Sequence, residues 1–439
     1  MGDALALVGG RPAVDTTLKV RWPIVTDADK RAVMKVLDQG PLWALSTDEG
    51  LLAPEMSALE REFAEFVGVS HALACNGGTA AIHMALAAAG IGPGDEVITS
   101  AFSFLATPVA ILHQSAIPIF ADIDPRTFNI DPAEVEGQMT SRTKAIVPVH
   151  IHGVTADMDA INAIARRHGL AVIEDACQAP GARYHGRRAG SLAEMGAFSL
   201  NGTKNLAVGE GGLLVTDDDT LRARANAVRM VGELLPHSDR TMEFQHLVAW
   251  NYRTQEMPSA FARSQLRRLE SYNAHARANG EALTCRLAGM KGVAPQHIPP
   301  GCESIYHKYR VRFRPDDLDL PFRGTVFRDL VQAALTAEGV DAVTWLRAPL
   351  PAHPIFQVRQ GYGHGYPWTI AHADYRYRVE AYPQTQELLD NSLVICSELH
   401  PMCCQPMQLI NQYADAFTKI FCQRDNLLSA GERLLGDRV

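Results

Sequence analysis

The sequence has no apolar run approaching the ~20 residues that a membrane span requires. It has no basic excess: 41 Lys and Arg stand against 49 Asp and Glu, for a net charge of −8. That balance argues against nucleic acid as a main partner and leaves no basic patch for a membrane surface. Cysteine is sparse and scattered, at Cys75, Cys177, Cys285, Cys302, Cys396, Cys403, Cys404 and Cys422. None has paired metal-site spacing, so a metal centre is not expected, and the usage fits free thiols in a reducing cytoplasm. The N-terminus lacks a basic stretch ahead of a long apolar core, so no secretory signal is expected.

What is present is the composition of an ordinary globular protein. At 439 residues the chain is long enough for one large and one small domain, because single cores stop growing near ~250–300 residues. Short apolar runs alternate with helical periodicity over the first two-thirds of the chain. That rhythm predicts a mostly parallel sheet with helices on both faces. From about Ala274 the pattern changes to a long helix followed by mixed elements. The expected division is a mobile lead over 1–20, a large domain over 21–273 and a small C-terminal domain over 274–439.

The stretch from Phe198 to Thr216 organises this reading. Lys204 sits between a Ser/Asn/Gly/Thr turn and Gly209-Glu210-Gly211-Gly212, with strand-like runs on either side. A primary amine on a rigid turn can form a Schiff base when neighbours or desolvation lower its pKa. Ser199 could offer a hydroxyl to a phosphate. Upstream, Leu170 to Asp175 reads as a buried strand ending in a carboxylate, the end of an α/β strand at which ligands bind. Pyridoxal 5'-phosphate (PLP) needs a lysine on its aldehyde and a carboxylate against its protonated ring nitrogen. Lys204 and Asp175 are such a pair. A helix N-cap would explain Asp175 but leaves Lys204 without a role.

Other segments fit around them. Asn76-Gly77-Gly78-Thr79 feeds a helix N-terminus, which favours a phosphate. No lysine follows the glycines in P-loop fashion, so a nucleoside triphosphatase is not read here. Phe102 and Phe104 offer an aromatic face that could cover one side of a pyridine ring or pack in the core. His150 and His152 have no acidic or cysteine partner at a zinc spacing, and are read as lining the cofactor floor or satisfying backbone groups. Trp43 follows a helix break, where substrate contact and packing both remain open. Gln360 to Trp368 is a glycine- and aromatic-rich inserted loop, read either as a specificity element or as a structural Ω-loop.

These pieces, together with Gly92-Pro93-Gly94-Asp95, Asp122-Ile123-Asp124, Glu174-Asp175-Ala176-Cys177-Gln178 and Asn251-Tyr252-Arg253, occur in the order found in the DegT/StrS family. The chain resembles these PLP-dependent sugar and cyclitol aminotransferases over roughly residues 20 to 350. The resemblance implies an α/β fold of the fold-type I transferases, with a smaller C-terminal α+β domain. It implies that Lys204 carries PLP and acts as acid and base, and that Asp175 faces the ring nitrogen. It puts Gln178 near the ring oxygen and Phe104 on the ring. Gly78, Thr79 and Ser199 would hold the phosphate, with Asn251 supplied by the second subunit of a homodimer with shared active sites.

The implied partners are glutamine or glutamate as amino donor and a keto-cyclitol or keto-sugar as acceptor, in antibiotic or secondary-metabolite biosynthesis. Trp345 to Pro354 lacks the family's usual Tyr-Pro dipeptide and favours a cyclitol. Substrate contacts are expected at Trp43, His353 and Tyr362. Ser397 to Pro401 departs from the usual Leu-Pro pair. The alternatives are a nucleotide-keto-sugar aminotransferase, an enzyme like aminohydroxybenzoate synthase and a PLP-binding regulator.

Overall fold

Segments of five residues with short apolar stretches become the strands of one seven-stranded sheet. Its order is His71–Cys75, Gly212–Thr216, Met195–Ser199, Ala171–Asp175, Thr143–Val147, Glu96–Ser100 and Ile117–Ala121. Pairing is parallel from Met195–Ser199 to Ile117–Ala121, while Gly212–Thr216 runs antiparallel to both of its neighbours. Strands covered on both faces favour consecutive apolar residues, which is why their centres read as short runs instead of alternating patterns. The computed structural model describes residues 4–40, 42, 53–234, 243–244, 248–318, 323–371, 375–423 and 427. Among the described residues no helix is long and apolar enough to cross a membrane.

Behind the sheet lies helix Gly78–Ala88, buried along almost its whole length. The C-terminal unit is a four-stranded antiparallel sheet in the order Val293–Pro295, Tyr309–Phe313, Ser392–Ile395, Ala342–Val343. Helices Gly324–Ala337 and Met407–Phe421 share its core. The long helix read from about Ala274 begins earlier, as one helix Glu256–Leu287 of 32 residues. The expected boundary between domains falls inside it.

Two segments pack away from their neighbours in sequence. The described part of the lead packs on the C-terminal unit. Leu5, Val14 and Trp22 are buried in the core of the C-terminal unit. The Glu338 carboxylate accepts the Ala6 and Ala13 N–H groups at 2.8 and 2.9 Å. Conversely, the inserted loop and its flanks pack on the large sheet, where Phe356, Trp368, Tyr377 and Tyr382 join Phe120 in one cluster. The Tyr377 hydroxyl accepts from Trp368 Nε1 and donates to the Pro118 carbonyl, each at 3.0 Å. Pro118 lies on the sheet's edge strand, so the loop covers an edge that would otherwise be open to pairing.

Candidate active site

The carboxyl ends of the parallel strands open onto a cavity of about 380 Å³. Lys204 enters it from a tight turn. Asn201 Oδ1 accepts from the Thr203 N–H and hydroxyl at 3.0 and 2.9 Å, the Lys204 N–H donates to the Asn201 carbonyl, and Trp22 Nε1 donates to the Lys204 carbonyl at 3.1 Å. The backbone of the lysine is therefore fixed on both sides, and its side chain is half-buried. Desolvation lowers the Lys204 amine below the usual lysine range.

Asp175 ends its strand nearly buried. Its Oδ2 accepts the Thr107 hydroxyl at 2.6 Å and its Oδ1 the Cys177 N–H at 3.1 Å. Gln178 is buried, and its Oε1 accepts the His152 N–H at 3.0 Å. Gly78 begins its helix at the cavity wall. A Cβ there would come within 2.8 Å of both Cys177 Sγ and Ser199 Cβ. Only glycine lets these chains meet, and the first helical turn then presents its N–H groups to the cavity. Burial pushes the Cys177 thiol well up, so it does not compete as a nucleophile.

The opposite wall comes from the C-terminal unit. Lys308, Trp345 and Glu398 line the cavity. Lys308 Nζ lies 2.9 Å from Glu398 Oε1 and 5.4 Å above the Trp345 ring. Burial brings the Lys308 amine down to about 8. Arg310 stands behind this wall. Its guanidinium donates to His152 Nε2 at 3.0 Å, to Ser392 Oγ at 2.6 Å and to the Trp345 carbonyl at 2.9 Å. Burial, then the Arg310 charge, holds His152 neutral and well below its usual value. His152 adopts φ 59°, a strained left-handed conformation for a histidine. Gln178 and Arg310 bond it from either side, so the surroundings dictate that strain. His150 is already engaged elsewhere, 2.8 Å from Glu174 Oε2 through Nε2 and accepting the Ala156 N–H through Nδ1.

The structure brings Lys204, Asp175, Gln178, Ser199, Gly78, Thr79 and Phe104 to one cavity. Phe104 is 58 % exposed at its mouth, while the alternative Phe102 is buried against His152 and Trp345. Asn251 is not part of this wall in a single chain. It is exposed, with its Oδ1 accepting from Arg253 Nε at 3.1 Å. His353 and Tyr362 are not brought to the cavity either. The His353 N–H donates to the Leu350 carbonyl as the chain enters helix Pro354–Val358. The Tyr362 hydroxyl meets His113 Nδ1 at 2.7 Å on the loop that covers the edge strand. Trp43 lies outside the described residues.

Sequence reasoning did not single out Thr107, Lys308 or Glu398. Alternation around Tyr306–Phe313 carried a signal for Lys308. Tyr309, Val311 and Phe313 face the core, and Lys308 just before the strand and Arg310 within it are nevertheless buried. Buried cations on a strand need partners, and that points to a site.

The sequence profile of the DegT/DnrJ/EryC1/StrS aminotransferase family matches residues 37–389. The chain belongs to this family. It is 37% identical over 363 residues to an L-glutamine:2-deoxy-scyllo-inosose aminotransferase of Streptomyces lividus, covering 81% of this chain and 84% of that protein. It is 38% identical over 331 residues to a pleiotropic regulatory protein of Geobacillus stearothermophilus, covering 74% and 83%. Among solved structures, S. venezuelae DesV in complex with a ketimine intermediate superposes with a TM-score of 0.74 at 29% identity, covering 90% of this chain and 97% of that one. The protein is thus a fold-type I aminotransferase of the DegT family, and these enzymes depend on PLP.

The donor set fits PLP. It joins an amine of lowered basicity, a buried carboxylate oriented by two donors, and a helix N-terminus beside Ser199 where no side chain obstructs an anion.

Proposed function

We propose that this enzyme transfers an amino group from L-glutamine or L-glutamate to the ring ketone of a cyclitol, in the biosynthesis of an antibiotic or related secondary metabolite. The observation that carries the choice of acceptor is the wall of Trp345, Lys308 and Glu398 facing Lys204. A flat indole beside a neutral ion pair suits a polyhydroxylated ring: the indole packs on C–H edges, and the pair bonds hydroxyls. A nucleotide diphosphate would need several cations. Among the described residues that line the cavity, the lysines are Lys204 and Lys308, and there is no arginine. The similarity to the scyllo-inosose aminotransferase supports the same reading.

When bound, PLP supplies an electron sink for the carbon that carries the transferred amine. We assign its phosphate to Ser199, Thr79 and the N–H groups of the turn at Gly78. Asp175, aligned by Thr107, keeps the proton on the pyridine nitrogen. Gln178 would lie by the ring oxygen, and Phe104 would cover the ring and exclude water. Lys204 Nζ, its basicity lowered by desolvation, would take the proton from the substrate carbon and return it at the far end of the shift. Asn251 projects from the chain's surface to reach the phosphate of a second subunit, so we place the working enzyme as a homodimer. We read the scattered free thiols as those of a protein of the reducing cytoplasm.

The test is a pair of half-reactions. Holoenzyme is mixed with glutamine, glutamate or alanine while its visible band is followed, with Lys204→Ala as control. Glutamine is expected to bleach the band, and a keto-cyclitol to restore it. Lys204→Ala is expected to lose turnover by ~10²–10⁴-fold, the scale of a general acid–base group. Recovery with a nucleotide keto-sugar alone moves the assignment to the sugar branch. A band that ignores every donor refutes the aminotransferase assignment for this chain and leaves a regulator.

A further inference from the structure

An aminotransferase of this kind faces a recognition problem in a single cavity. It must take the α-carboxylate of an amino acid in one half-reaction and an uncharged polyol in the other. A fixed cation would serve the first substrate and would stand desolvated and unpaired beside the second, which costs several kcal/mol. A purely neutral wall would leave the donor's carboxylate without a partner.

Lys308 and Glu398 have the features that resolve this conflict. Among the described cavity-lining residues Lys308 is the one cation besides Lys204, and Lys204 is committed to the cofactor. The Lys308 side chain is only 6% exposed, so its ammonium needs a counter-charge at all times. Glu398 is 48% exposed and comes from the turn after strand Ser392–Ile395, so it can return to water when released. Burial works against the Glu398 carboxylate, yet Lys308 and then Lys204 bring it below its ordinary value. Trp345 supports the Lys308 ammonium from below, and Arg310 bonds the Trp345 carbonyl. The cation is therefore held in place while its acidic partner is not. Glu398 also lies in the segment Ser397 to Pro401, where this sequence departs from the family's usual Leu-Pro pair.

We propose that Lys308 is the receptor for the α-carboxylate of the amino donor, and that Glu398 is the internal carboxylate it exchanges for that group. With the donor bound, Lys308 pairs with the substrate and Glu398 swings into solvent. With the polyol bound, the Lys308–Glu398 pair closes into a neutral surface and its remaining donors and acceptors meet ring hydroxyls. No covalent step is involved. The identity of the anion rests on the aminotransferase assignment, whereas the existence of an exchangeable anion site does not.

The test separates the two. Glutarate carries carboxylates but no amine to transfer, and glutaramide is its uncharged counterpart. Binding of each to the PLP-loaded enzyme is measured by calorimetry well below the Lys308 value of about 8. Wild type is expected to bind glutarate in preference to glutaramide. Lys308→Met keeps the aliphatic stem and is expected to weaken glutarate by about 10- to 100-fold, the loss of one charge-assisted contact, with glutaramide unchanged. Glu398→Gln removes the internal competitor and is expected to tighten glutarate several-fold. A folding defect would not strengthen binding, so the opposite signs guard against that explanation.

The proposal is overturned if wild type does not prefer glutarate, if Lys308→Met leaves its affinity unchanged, or if Glu398→Gln weakens it. If wild type binds glutarate through Lys308 but consumes no amino donor, the anion site stands and the aminotransferase assignment fails.

Discussion

The two walls of the cavity are built differently. The cofactor wall is made of strand ends and the turns that follow them, and almost every polar group on it is fixed by the backbone. Asp175 accepts from Thr107 and Cys177, Gln178 from His152, and the Lys204 turn is closed by Asn201 and Trp22. The substrate wall comes from three separate places in the C-terminal unit, and its polar groups hold one another: Lys308 pairs with Glu398, and its ammonium lies over Trp345. A fixed wall suits a group that stays for every turnover. A wall of exchangeable partners suits groups that come and go.

The sharpest way to break this contrast is Gly78→Ala. The new methyl lands within 2.8 Å of Cys177 and Ser199, and such overpacking costs ~1–3 kcal/mol. PLP affinity, measured by dialysis against free cofactor, is expected to fall about 10- to 100-fold by that energy. If affinity holds, the cofactor wall is softer than its hydrogen bonds imply.

The substrate wall is sharpened through the pH dependence of stability of the cofactor-free protein. Lys308 has its amine lowered to about 8 from an ordinary 10.5 by burial. Below about 8 both folded and unfolded chains are protonated, and the full cost of burying the charge is felt. Between about 8 and 10.5 the unfolded chain holds a proton that the folded one lacks, so stability rises with pH. Guanidinium unfolding is expected to show wild type gaining stability relative to Lys308→Met as pH rises through this window, since Lys204 and Arg310 contribute equally to both proteins. Parallel pH curves would mean that Lys308 is less desolvated than the structure describes.

The smallest effect lies outside both walls. Tyr377→Phe strips Trp368 Nε1 and the Pro118 carbonyl of their buried partner, a loss of ~1–3 kcal/mol in unfolding free energy. Both half-reactions are expected to keep their rates, because the loop covers a sheet edge and does not line the cavity. A changed acceptor rate with unchanged stability would return the loop to a specificity role.

Much of the cofactor wall was legible in the sequence. Lys204 between glycine turns and Asp175 at a strand end are local patterns, and the parallel sheet places all such ends on one side. The substrate wall was legible only in fragments. Trp345 and Glu398 stood in segments whose departure from the family pattern was visible, but nothing local joined them to Lys308. The reading of His353 and Tyr362 as substrate contacts rests on the segment and loop that carry them, and in the single chain the first stands at a helix start and the second meets His113, outside the cavity lining. The lead over residues 1–20 reads as mobile because its few apolar residues have no local partners. Leu5 and Val14 find theirs in helices and strands more than three hundred residues away.

The sequence by itself determined the alternation of strand and helix, the lysine–carboxylate pair and the glycine turn at a helix start, because each is a short-range consequence of residue type and period. Only the tertiary structure decided that Lys308, Trp345 and Glu398 face Lys204, and that the inserted loop guards an edge strand. Those arrangements depend on how the antiparallel C-terminal sheet docks on the large one. Docking is fixed by side chains far apart in the chain that must share one buried volume, and no local pattern records which of them will meet.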